Sequence, residues 1–81
     1  MPTQKITWQK IVLFGGVQTI WTTNISNAAG AVIGIEIVKD RREKIMPDYP
    51  YALHVAGSYE GHYKTLNLAK KEGVKKNVQS N

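Results

Sequence analysis

The sequence contains no cysteine, which removes a disulfide framework, a thiolate metal site and a cysteine nucleophile together. Histidine is nearly as scarce. His54 and His62 are the only two, too few for a histidine metal cage. The longest largely apolar run, residues 28–35, falls far short of the ~20 residues that span a bilayer. The opening Met1-Pro2-Thr3-Gln4-Lys5 lacks the basic start and apolar stretch of a secretion signal. The reading is a soluble, cytoplasmic chain with no membrane partner. Without that signal, Asn24-Ile25-Ser26 is a chance glycosylation match. No phosphate-cradling loop is present either: Gly15-Gly16 leads into a strand pattern, and Gly30 to Gly34 lacks the downstream lysine and hydroxyl of a nucleotide loop. Repeats and low-complexity tracts are absent.

What remains is an ordinary globular composition, 42 % apolar and 21 % charged over 81 residues, enough for one core and too short for two. A single α+β domain over residues 1–73 with a mobile basic tail over 74–81 is expected. The net charge of +5 is concentrated: residues 64–81 carry Lys64, Lys70, Lys71, Lys75 and Lys76 against Glu72 alone. A cationic end of this kind attracts polyanions over about a Debye length, ~8–10 Å at physiological salt. The same lysines also read as a solubilising fringe.

Local patterning predicts a small antiparallel sheet of four to five strands and one short C-terminal helix. Gly15-Gly16 separates two β-branched and aromatic runs, 5–14 and 17–25, and supplies the positive φ of a hairpin turn. Pairing Phe14 with Val17 then sets Val12 opposite Thr19, Ile11 opposite Ile20, Lys10 opposite Trp21, Trp8 opposite Thr23 and Ile6 opposite Ile25. Both faces of that hairpin are partly apolar, and Ile11 and Ile35 are core candidates. A third strand over 31–38 places Ile33, Ile35 and Ile37 on one face, with Gly34 marking a bulge or a close approach. A helix over 28–46 is the rival assignment, on Ile33, Ile37 and Ile45. Pro47 and Pro50 enforce an irregular stretch. A last hairpin follows, 51–56 and 59–64 about Gly57-Ser58, although Glu60-Gly61 also suits the turn. Thr65 reads as the N-cap of a helix with Leu66, Ala69, Gly73 and Val74 on one face, ending at Gly73.

Enzymatic constellations are thin. In the Gly57-Ser58 register His54 and His62 point to opposite faces, His54 with Tyr59 and Tyr63. Ser58 has no ordered base beside it, and the carboxylates stand mostly beside lysine or arginine. No catalytic residue, cofactor site or metal site is assigned, and the chain reads as a non-enzyme. The basic and aromatic residues point instead to nucleic acid, DNA or RNA, or to an acidic protein. Arg41, Arg42, Lys64, Lys70, Lys71, Lys75 and Lys76 are candidates for phosphates, and Tyr59 and Tyr63 for stacking on sugar or bases. The alternative is a protein-binding module or small inhibitor that presents its hairpin edge or the 46–51 loop, in one form as a homodimer.

Overall fold

A computed structural model of the chain describes residues 6–26, 30–42 and 47–79, the last four of these through their backbone alone. Five strands, β1 (Gln9–Leu13), β2 (Gln18–Ser26), β3 (Val32–Asp40), β4 (Tyr51–Val55) and β5 (Ser58–Tyr63), precede one helix, α1 (Leu66–Gln79). The strands form one antiparallel sheet in the order of the chain. This is the expected small α+β arrangement, a meander with a helix laid on one side.

The first hairpin pairs as its glycines predict, Leu13 with Gln18 through Gln9 with Thr22. The connection is longer than two residues: Phe14, Gly15 and Gly16 all take positive φ, and the Val17 N–H donates to the Phe14 carbonyl at 3.2 Å. Because both strand ends recede equally, the register is kept. β3 excludes the helix over 28–46 across its own length. Its alternating isoleucines favour a pleated surface with one face buried, and Ile35 and Ile37 are fully enclosed. Gly34 causes no slip in the β2–β3 ladder; it marks a close approach, with a Cβ there lying 3.4 Å from the Asn24 side-chain oxygen.

The core is Ile25, Ile35, Ile37, Leu53, Val55 and Ala69, with Ile6, Trp8, Trp21, Ile33, Tyr51, Tyr63, Leu66 and Val74 packed around it. Thr23 is buried too, and its hydroxyl donates to the Thr7 carbonyl at 2.7 Å. Each enclosed isoleucine or leucine contributes ~1.5–3 kcal/mol relative to exposure. Ile11, a core candidate by sequence, is instead 41 % exposed, because its parity places it on the side of the sheet away from α1.

Thr65 caps α1 as expected, its hydroxyl accepting the Leu68 N–H at 3.2 Å. The expected end at Gly73 is overturned: the helix continues to Gln79, so the backbone of 74–79 is helical. An interior glycine costs ~1 kcal/mol against alanine, and the packing reason is plain. A Cβ at Gly73 would lie 2.8 Å from Ile35 Cγ2 and 3.1 Å from Leu53 Cδ1. Lacking one, the helix sits down on the sheet.

The last hairpin differs from expectation in two ways. Its turn is Ala56-Gly57, both at positive φ, one residue earlier than Gly57-Ser58. Moving the turn by one residue shifts the pairing by two and leaves every side chain on its face. The second difference reverses that. Between His54↔Tyr59 and Leu53↔Gly61 the register slips, and Glu60 is the extra residue of a β-bulge. Beyond it His62 and Tyr63 exchange faces.

Candidate functional site

Strand parity sorts the functional side chains onto two sides. On the α1 side stand Lys10 opposite Trp21, and Lys39 opposite Tyr51, which pairs on with Tyr63. Lys39 Nζ lies 5.4 Å from the centre of the Tyr51 ring, and Trp21 and Tyr51 meet at 5.8 Å. From the helix, Lys70 Nζ lies 5.3 Å from the centre of the Trp8 ring. Lys71 and Lys75 are exposed. These lysines can cover aromatic surface with their stems while the ammonium stays wet. Glu72 is the acidic residue of this helix.

Arg41 and Arg42 lie at the end of the sheet where β3 and β5 finish, the end that also carries Lys64 before the helix. The Arg41 N–H donates to the Val17 carbonyl at 2.8 Å, tying the first turn to β3. Arg42 is already engaged: its Nε and Nη2 donate to Asp40 at 3.0 and 2.8 Å, and its backbone N–H donates to the same carboxylate. Those hydrogen bonds, the side-chain pair foremost, lower the Asp40 pKa to about 2. The expected fork for phosphate is thus spent on a neighbouring carboxylate.

Tyr59 and Tyr63 do not share a face. Tyr63 is half-buried on the α1 side, beside the core. Tyr59, 55 % exposed, stands on the opposite side with both histidines. His54 and His62, expected on opposite faces, are brought together by the bulge. The Tyr59 hydroxyl hydrogen-bonds His62 Nδ1, and the Tyr59 ring meets His54 at 5.7 Å and 60°. Lys76 belongs to α1, and its side chain lies outside the described residues.

That second side is covered by no described element. One cross-sheet row reads Gln9, Thr22, Glu36, His54, Tyr59, and the next reads Ile11, Ile20, Val38, Ala52, His62. At the end carrying the Ala56-Gly57 turn a cavity of about 390 Å³ opens, lined by Thr22, Glu36, His54, Ala56 and the backbone near Gly34 and Gly57. Glu36 has no ion pair or hydrogen bond among the described residues. No group of three or more histidine, aspartate or glutamate side chains among the described residues could hold a metal ion.

Sequence reasoning missed Lys10, Lys39, Trp8, Trp21 and Tyr51 as partners in one basic and aromatic surface, and it missed Glu36 and His54 as neighbours. Lys10 opposite Trp21 was legible in the first hairpin; Lys39 with Tyr51, like Glu36 with His54, required β3 and β4 to pair. No helix among the described residues is long and apolar enough to cross a membrane. Comparison with protein-family models, curated proteins and solved structures found no match.

Proposed function

We propose that the chain is a small, non-enzymatic nucleic-acid-binding domain that sets the lysines of its α1 side on phosphates. One observation carries this reading: cations are sorted onto that side. Lys10, Lys39, Lys70, Lys71 and Lys75 stand there against Glu72, while the opposite side carries Glu36 and the Asp40–Arg42 pair. Phosphate contacts of this kind supply sequence-independent affinity. The ring of Trp8 lies beside Lys70 and that of Tyr51 beside Lys39, with Tyr63 paired to Tyr51, and these rings give sugar or bases an apolar surface. Arg41 and Lys64 extend the basic surface at one end. Arg42 contributes least, since Asp40 must release it first.

The test is a titration of labelled single-stranded and duplex oligonucleotides at 50 and 200 mM salt. About five phosphate contacts on a single strand give a loss on the order of 100-fold between the two conditions. Absent binding at 50 mM, or affinity that does not respond to salt, overturns the proposal.

A second reading, a protein-binding module, draws on the edge strand β1 and its turn. Ile11, Val12 and Phe14 are 41, 55 and 70 % exposed there, and the outer backbone groups of β1 have no strand partner within the described sheet. In this reading a second copy or an acidic protein adds a strand. A monomeric sedimentation mass, with nothing retained from nuclease-treated lysate, counts against it.

A further inference from the structure

We infer that the cavity on the uncovered side accepts a guanine base of the bound strand; this rests on the nucleic-acid reading and assigns a base preference to it. The space exists because three small residues meet. Gly34 on β3 faces the Ala56-Gly57 turn, and the Ala56 N–H donates to the Gly34 carbonyl at 2.9 Å, so Gly34, Ala56 and Gly57 add nothing larger than a methyl group to a lining otherwise set by Thr22, Glu36 and His54. At about 390 Å³ the cavity falls in the range of small-ligand sites.

Its chemistry is that of a planar hydrogen-bond donor. Glu36 and His54 are direct cross-strand partners, with Thr22 next to Glu36 in the same row. An ionised carboxylate only accepts, and its two oxygens suit two parallel N–H donors. Guanine alone among the four bases offers that pair on its Watson–Crick edge, N1–H beside the N2 amino group. Adenine and cytosine present an amino group beside a ring nitrogen acceptor, which a carboxylate repels. Uracil and thymine flank one N–H with two carbonyls. His54 supplies a ring for stacking, and Tyr59, anchored through its hydroxyl to His62, sets against that ring at 60°.

An arginine side chain carries the same two-donor fork, and charge decides between them. A chain of net +5 repels a cationic peptide and attracts a base carried on a polyanion. The direction of α1 leads to the same end of the sheet. α1 starts beyond Tyr63 and places Gly73 against Ile35 and Leu53, so its last turns advance toward the end of the sheet where the cavity opens. A strand held by Lys71 and Lys75 would turn round that end of the sheet to enter the cavity, which opens on the opposite side from α1.

The experiment is an NMR titration of the ¹⁵N-labelled full chain with GMP, AMP, CMP and UMP in turn, and with inosine monophosphate, which lacks the N2 amino group. GMP is expected to shift the amides of Gly34, Glu36, His54 and Gly57 and to bind ~10-fold or more tightly than the other four nucleotides. Glu36→Gln, at an exposed position that leaves the fold intact, is expected to abolish this preference while a thymine-only oligonucleotide keeps its affinity and salt dependence. Equal responses to all the nucleotides, or none, overturn the inference and leave the salt titration standing by itself. An arginine amide that shifts these resonances where GMP does not also overturns it. A GMP preference retained where oligonucleotides fail to bind supports the cavity and discards the helix-side reading instead.

Discussion

On the side of the sheet that α1 covers, isoleucines fill the centre and lysines lie at the margins with their stems near tryptophan and tyrosine rings. On the other side, the same strands present a polar row around Glu36 and His54 and, beside it, an apolar row from Ile11 to Ala52. Alternation along each strand makes both surfaces at once, so each residue on one side determines what its neighbours offer on the other. The covered side must exclude water, and it takes charge only as long stems that keep their ammonium groups wet. The uncovered side has no such demand, and Glu36 has no partner there among the described residues.

The contrast is broken most directly in the core. Ile35→Ala on the covered side should cost ~2–5 kcal/mol, whereas Val38→Ala on the uncovered side should cost about 1 kcal/mol or less. In a domain of this size each kcal/mol moves Tm by ~4–8 °C, so thermal unfolding separates them. Equal shifts would erase the distinction between the two sides.

Next in size is the effect of the helix lysines on binding. Replacing Lys70, Lys71 and Lys75 together by alanine should weaken oligonucleotide affinity at 50 mM salt at least ~10-fold and flatten its salt dependence. Stability should move little, since exposed charges contribute ~0–1 kcal/mol each and the Lys70–Trp8 contact ~0.5–1 kcal/mol. Unchanged affinity in a folded variant would make these lysines a solubilising fringe.

Gly73→Ala sharpens the contrast where α1 meets the sheet. The methyl group would press on Ile35 and Leu53 at ~1–3 kcal/mol for overpacking, set against ~1 kcal/mol gained in helix propensity. The expected outcome by chemical denaturation is a net loss of about 1 kcal/mol. A more stable variant would mean that the helix stands off the sheet.

The smallest effect belongs to Asp40. Its folded pKa of about 2 lies below the ordinary 3.8, so the stability it confers is present above pH ~4 and lost as pH falls toward 2. Asp40→Asn should unfold at a lower temperature than the parent at pH 5, with the gap closing at pH 2. A gap that does not change with pH would show that the Arg42 hydrogen bonds add nothing to the fold.

The two hairpins show how far the sequence could be read. In the first, paired glycines and unbroken alternation leave one register, and Lys10 opposite Trp21 follows without knowledge of anything else. In the second, small and polar residues from Ala56 to Gly61 permit several turns, and the bulge at Glu60 inverts every later side chain. His62 and Tyr63 were therefore placed on the wrong faces, and with them the stacking pair. The basic helix was legible as composition; its sorting onto one side of the sheet with Lys10 and Lys39 was not, because that depends on which side α1 takes.

Local chemistry in the chain determined the antiparallel meander, the first register, the isoleucine face of β3 and the Thr65 cap, since each follows from neighbouring φ preferences and a period of two. Only the tertiary structure decided that Gly73 lies inside a helix, that both histidines share a side and that Glu36 meets His54 at the rim of a cavity. Those three outcomes turn on contacts between residues distant in the chain or on competition among nearly equivalent turns, and packing against the rest of the molecule selects among them.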